Sequence, residues 1–151
     1  MMRNKGPETT RVASFTFRRQ TTVEWGQCDP AGIVFNSRYF EIFDISTWML
    51  FEAALGVTAH QLAETFGIIG IPLVDARANF LKAAKFGDEV EIASRVTEFR
   101  RSSFDVEHRL TIAGELAVDG AETRVWATRD RNDPDKIHGI AIPSEVIARF
   151  G

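Results

Sequence analysis

The sequence predicts an α+β domain in which one curled antiparallel sheet of about five strands surrounds a single long helix. Three observations predict it. One strand-like segment precedes the longest helical pattern in the chain. That helix is apolar on nearly every side, which calls for cover on nearly every side. The segments after it alternate apolar and polar residues with the two-residue period of strands. At 151 residues the chain is one domain's worth, since two separate cores would each be undersized.

The elements follow in order. Residues 1–12 are polar and charged and read as a flexible leader, so the expected domain is 13–151. Residues 14–25 are extended, with Phe15 and Phe17 alternating with Thr16 and Arg18. The stretch GQCDPAG at 26–32 is too rich in Gly and Pro to continue a strand. The long helix covers 37–55, with Asn36 and Ser37 as N-cap candidates. Tyr39, Ile42, Phe43, Met49, Leu50, Ala53 and Ala54 lie on one side, and Phe40, Asp44, Trp48 and Phe51 on the other. Gly56 ends it, and a shorter helix follows at 58–66. Strands are expected at 72–82, 89–99, 103–113 and 121–129, the last with Val125 and Ala127 opposite Arg124 and Trp126. The Ala113-Gly114-Glu115 and Asp119-Gly120 sequences fit hairpin turns. Residues 143–150 suit a short closing helix with Pro143 at its start.

Composition narrows the function. The chain is 44% hydrophobic and 26% charged, ordinary for a globular domain and too apolar for a disordered one. With 18 cations against 21 anions the formal charge is −3, which argues against nucleic acid as the main partner. Arg supplies 14 of the 18 cations, and Arg suits bidentate phosphate contacts. The single cysteine, Cys28, excludes an internal disulfide and any multi-cysteine metal site. The leader lacks the apolar core of a signal peptide, and no apolar run approaches the length of a membrane helix. A cytoplasmic protein with no membrane partner is the expectation.

The familiar catalytic signatures are absent: no G-x-S-x-G, H-E-x-x-H, P-loop or G-x-G-x-x-G occurs. His60, His108 and His138 are far apart, and each reads as a surface or satisfied core histidine. The informative segment is CDPAGIVFNSRYFEIFD, at 28–44. Asp29 sits in a turn just before the helix, where Asp also serves simply to shape the chain. Unpaired N–H groups near Asn36 and Ser37 make a ready oxyanion site. A carboxylate facing a carbonyl carbon whose oxygen meets those donors suits acyl transfer. Cys28 reads as a small packed thiol, because no histidine is placed by sequence to activate it. Asp44, between Phe40 and Trp48, needs a partner if buried: an Arg of a neighbouring strand, or a polar group on a mostly apolar ligand. Arg100 and Arg101 end a strand, where both side chains reach one phosphate group or simply face solvent.

This segment resembles the active-site segment of the hot-dog-fold acyl-CoA thioesterases, and most closely their 4-hydroxybenzoyl-CoA thioesterase branch. The resemblance spans about residues 15–143 and includes W-G-x-C-D-P-A-G-I-V, then G-I-x-G-x-P, then E-F-R-R-S-S-F. It implies the hot-dog fold, a curled antiparallel sheet on a long helix. It implies that Asp29 is the catalytic carboxylate, as nucleophile or as general base toward water, and that the N–H of Asn36 polarises the thioester carbonyl. Asp44 falls where the branch places the acceptor of the 4-hydroxybenzoyl ring hydroxyl. Gly32 and His60 fall at substrate-binding positions, and Arg100, Arg101 and Ser102 in the stretch that holds the phosphates of coenzyme A. A site between two subunits of a homodimer, and a homotetramer of two such dimers, are implied as well. No metal or redox cofactor is implied; coenzyme A belongs to the substrate.

Three departures concern the acyl group more than the reaction. Asn36 and His60 each stand where the branch has an aromatic residue, and Ser102 replaces a basic one. The related YbgC-type thioesterases of short acyl-CoAs share D-x-x-G-x-V but usually carry a His just before the helix, where this chain reads Phe35-Asn36-Ser37. A non-catalytic hot-dog module that binds acyl-CoA is the alternative from another class. A dehydratase on the same fold ranks lower, because its active-site histidine motif is missing.

Overall fold

The computed structural model describes residues 14–151; the expected leader at 1–12 lies outside the described residues. In chain order the elements are β1 (Thr16–Thr22), α1 (Asn36–Leu55), α2 (Ala59–Phe66), β2 (Leu73–Phe80), β3 (Glu89–Phe99), β4 (Ser103–Ile112), β5 (Glu115–Val125), β6 (Ala127–Arg129), β7 (Ile137–Gly139) and α3 (Ser144–Ala148). Five strands form one antiparallel sheet in the order β1-β3-β4-β5-β2. β3, β4 and β5 follow one another as hairpins. β3 and β4 alternate apolar and polar residues over ten or eleven positions, whereas in β5 burial alternates over much of the strand without that chemical pattern. β2 precedes them in the chain but pairs at the far edge with β5, so the connection around α1 carries the chain from one edge of the sheet to the other.

α1 lies against the inner face of this sheet. Its Leu50 and Phe51 pack with Phe99, Phe104, Trp126 and Phe150 in one buried cluster, and its Tyr39, Ile42 and Phe43 pack with Val90, Ile92 and Leu110 in a second. The α+β architecture expected from the sequence is therefore observed, with differences in detail. The helix starts one residue early, and its N-cap is Phe35 rather than Asn36 or Ser37. Phe35 donates its N–H to the Gln27 carbonyl (2.9 Å) and is extended, so the turn begins as soon as the chain leaves that bond. Nor is α1 covered on nearly every side. The sheet covers one broad face, Met49 is half-buried, and Ile45 on the opposite face is 51% exposed.

Two corrections concern β5. Asp119-Gly120 is not a turn but lies mid-strand, where Gly120 faces the Phe43 ring; a Cβ there would stand 2.5 Å from Phe43 Cε2. In 121–129 the polar residues take the inner face, and Ala127, past the end of the strand, is buried as well. Glu122, Arg124 and Trp126 point inward and are buried, whereas Val125 is only half-buried. The strand then breaks, and the expected continuation becomes β6, which pairs with β7 as a separate two-stranded hairpin. At the other end of the domain, 23–25 leave the β1 ladder and enter a single 3₁₀ turn at Trp25–Gln27.

Candidate active site

After the 3₁₀ turn the chain doubles back on itself. Cys28 and Val34 form an antiparallel bridge, the Asp29 N–H donates to the Ile33 carbonyl, and the Gly32 N–H donates to the Asp29 carbonyl, both at 2.9 Å. The tip of this small hairpin needs φ +81° at Gly32, a left-handed value that glycine adopts without strain. Asp29 Oδ1 accepts the Ala31 N–H at 2.8 Å, which fixes the carboxyl group. The Cys28 thiol donates to the Glu24 carbonyl, a bond that packs it beside the loop.

The hairpin delivers the chain directly into α1. The N-cap Phe35 has no polar side-chain atom, and no side chain among the described residues caps the first turn. The first N–H groups of any helix have no partner within it. Asn36 and Ser37 thus present their N–H groups at the positive end of a twenty-residue dipole, close in sequence to the Asp29 carboxylate.

Further along α1, about 12 Å from Asn36 at the usual helical rise, Asp44 and Trp48 face an open cleft of about 330 Å³. Ile69, Pro72 and Leu73 form its apolar wall, and Arg124 closes its polar end. Arg124 Nη2 donates to Asp44 Oδ1 at 2.6 Å. The two partners proposed for Asp44 from sequence, a strand arginine and a ligand, are therefore compatible: the arginine takes one oxygen, and half of the side chain stays exposed toward the cleft. Asp29 does not line this cleft, so one chain holds the carboxylate with the helix start and the cleft as two separate parts.

Behind Arg124 lies a buried polar chain that sequence patterning missed. Glu122 Oε1 accepts from Arg124 Nε at 2.8 Å and from the Thr47 hydroxyl at 2.6 Å. His108 Nε2 lies 3.1 Å from the Thr47 oxygen and 3.4 Å from Glu122 Oε1, and His108 Nδ1 lies 2.7 Å from Ser94 Oγ. Because the Thr47 proton goes to Glu122, the arrangement is satisfied by the Nε2–H tautomer, with Ser94 donating to Nδ1. Burial alone would raise the Glu122 carboxyl pKa, but hydrogen bonds from His108 and Arg124 outweigh it and hold the group at about 2. His108 is thus the satisfied core histidine that the sequence allowed, and Phe43 stacks on its ring at 4.7 Å. An alternating strand normally sends its charged residues outward. The one available signal was that Glu122 and Arg124 share parity with Gly120 and Val118.

The remaining candidates are scattered. Arg100 is already engaged: its guanidinium bonds Asp105 and Ser103 and lies 3.1 Å from Glu98. The Asp105 hydrogen bond raises the Arg100 pKa and lowers that of Asp105. Arg101 is exposed in the β3–β4 turn, and Ser102 accepts the Trp126 N–H through its carbonyl. His60 is exposed on the first turn of α2 and does not line the cleft. The cleft residues Ile69 and Pro72 belong to the G-I-x-G-x-P stretch, so that motif had marked the cleft without revealing its shape.

Five antiparallel strands on one long helix form the hot-dog fold, and a carboxylate on the hairpin that leads into an uncapped helix start suits acyl transfer on that fold. Residues 23–150 match the model of the thioesterase-like superfamily, and the chain belongs to that family. It is 32% identical over 133 residues to the 4-hydroxybenzoyl-CoA thioesterase of Pseudomonas sp. strain CBS-3, covering 85% of this chain and 92% of the relative. A variant of 4-hydroxybenzoyl-CoA thioesterase solved in complex with 4-hydroxybenzoyl-CoA superposes with a TM-score of 0.84 at 27% identity, over 91% of this chain and all of that one. A gentisyl-coenzyme A thioesterase superposes with a TM-score of 0.76 at 29% identity, over 89% of this chain and all of that one.

Proposed function

We propose that this protein is an acyl-CoA thioesterase that hydrolyses an aromatic acyl-CoA thioester, of the 4-hydroxybenzoyl kind, to the free acid and coenzyme A. The observation that carries the reading is the Asp29 carboxylate on a fixed hairpin whose second arm runs directly into the uncapped start of α1. Asp29 attacks the thioester carbonyl carbon, expelling coenzyme A as its thiolate and leaving an acyl–aspartyl anhydride that water hydrolyses to the acid. Alternatively, it removes a proton from a water that attacks the carbonyl and expels the thiolate directly. The N–H of Asn36 stabilises the oxygen as it becomes negative, with the helix dipole adding to the effect. Gly32 lets the backbone turn tightly at the tip of the hairpin that leads from Asp29 into the helix start. The ring occupies the cleft against Trp48, with its hydroxyl donating to Asp44. Arg101, with Arg100 and Ser102 beside it, meets the phosphates of coenzyme A, and His60 borders the acyl end.

Because Asp29 and the cleft are separate on one chain, a second copy completes the site in this reading. β2 supports it: the strand is a sheet edge whose Leu73, Val74 and Phe80 are exposed, the kind of edge a second copy covers. A homodimer, and two dimers as a tetramer, follow. No single helix among the described residues is long and apolar enough to cross a membrane. The cytoplasm is the proposed place of action, with a lone cysteine and an acyl-CoA substrate consistent with it.

The test is thiol release, followed with a colorimetric thiol reagent, from 4-hydroxybenzoyl-CoA, benzoyl-CoA, phenylacetyl-CoA and short linear acyl-CoAs. Preference for the hydroxylated aryl thioester supports the reading. Preference for linear chains keeps the thioesterase and removes the ring from the cleft. Binding without release from any substrate makes the protein an acyl-CoA-binding module.

A further inference from the structure

The polar end of the cleft is not a lone carboxylate. Arg124 is 2% exposed and is held from three directions: Nε to Glu122, Nη1 to the Ile71 carbonyl at 3.0 Å, and Nη2 to Asp44 Oδ1. Glu122, 5% exposed, is held in turn by Thr47 and His108, and His108 by Ser94. The chain of bonds thus runs from β3 through β4, α1 and β5, and it reaches the surface at Asp44. A buried ion pair is weak evidence for stability, since well-packed apolar residues of similar volume often serve as well or better. Its position under the cleft calls for another explanation.

We propose that Arg124 is a positioning residue for recognition of the substrate ring, with Glu122 as its anchor. Arg124 fixes Asp44 through Oδ1 and leaves Oδ2, which has no hydrogen-bond partner among the described residues, as the acceptor for a ring hydroxyl. A half-exposed Asp on its own samples several rotamers and loses that freedom when it binds a ligand; one clamped by a buried guanidinium has lost it beforehand. A guanidinium has no acceptor of its own. The pair therefore offers a hydroxyl one oriented oxygen and gives an unsubstituted ring no equivalent gain. Lys cannot replace Arg in this role, because an ammonium lacks the planar fork that meets Glu122, Ile71 and Asp44 together.

The inference rests on the aromatic-thioester reading above, and the experiment separates the two. kcat and KM for 4-hydroxybenzoyl-CoA and benzoyl-CoA are measured on wild type, Arg124→Lys, Asp44→Ala and the double variant, with thermal unfolding alongside. In Arg124→Lys the preference for the hydroxylated substrate in kcat/KM falls by about tenfold or more, because benzoyl-CoA loses much less. In the double variant the preference is no lower than in Asp44→Ala alone, because Arg124 acts through Asp44. Where Arg124→Lys fails to fold, Glu122→Gln/Arg124→Met removes both charges at once and gives the same readout. A wild type that prefers the hydroxylated substrate, with the preference intact in the folded Arg124 variant, overturns the inference alone. Equal losses on both substrates also overturn it and leave Arg124 a structural residue. A wild type without any such preference overturns the ring reading and this inference together.

Discussion

At the scale of single residues, the two carboxylates of the proposed site each have one oxygen held by a neighbour. The Asp29 carboxyl spends Oδ1 on the Ala31 N–H and is thereby aimed. Asp29→Asn keeps that bond and the shape but removes the charge. It is expected to lower kcat at least about a hundredfold while acyl-CoA affinity survives, as for a group that acts chiefly in the transition state. Single-turnover kinetics with a parallel binding titration check this, and a near-wild-type rate removes Asp29 from the mechanism. Gly120 carries a packing constraint of a different kind. The Phe43 ring that stacks on His108 occupies the place of the missing Cβ. Gly120→Ala is expected to cost about 1–3 kcal/mol in urea unfolding, the usual penalty for overpacking; an unchanged midpoint would show that Phe43 repacks freely.

At the scale of elements, the start of α1 matters more than its composition. Phe35 at the N-cap is a poor capping residue, and the first turn's donors stay available because of it. α2 shows the contrast within the same chain: Thr58 accepts from the Gln61 N–H and Gln61 reaches back, a complete capping box. Asn36 is the first helical residue, a position that tolerates Pro, and Phe35 before it already has the extended conformation that Pro requires. Asn36→Pro therefore removes one N–H and little else. It is expected to lower kcat by about a hundred- to a thousandfold, the cost of losing one oxyanion donor, with the melting temperature nearly unchanged. A variant that melts normally and turns over normally would place the oxyanion site elsewhere.

At the scale of the whole molecule, the buried polar chain ties α1 to three strands and makes stability depend on acid. The Glu122 carboxyl sits at about 2 in the folded protein against its ordinary 4.5. A lowered carboxylate contributes stability that is fully present above about pH 4.5 and is lost as pH falls through about 2. The contribution is roughly 3 kcal/mol at neutral pH. Asp105, lowered by Arg100, adds in the same direction. Urea midpoints measured from pH 7 down to pH 2 are expected to fall across that window, and more shallowly in Glu122→Gln; equal slopes would mean that other carboxylates dominate acid unfolding.

Much of this protein is determined by its sequence through period and punctuation. Alternation over ten or eleven residues set β3 and β4 and the face each buries, because a one-residue slip would expose every apolar side chain. Gly56 and Gly67 ended the helices where expected. The Asp-Pro-Ala-Gly turn before a helix start marked Asp29 and Asn36, since both features are local. What tertiary structure decided is where polarity runs against pattern. Glu122 and Arg124 look like solvent-facing residues until α1 brings Thr47 and Asp44 over them and β4 adds His108. Gly120 looks like a turn until Phe43 needs its space. Arg100 looks free until Asp105 comes alongside it across the β3–β4 turn. A charge goes inside only when partners distant in sequence neutralise it, and such partners are invisible to any local period.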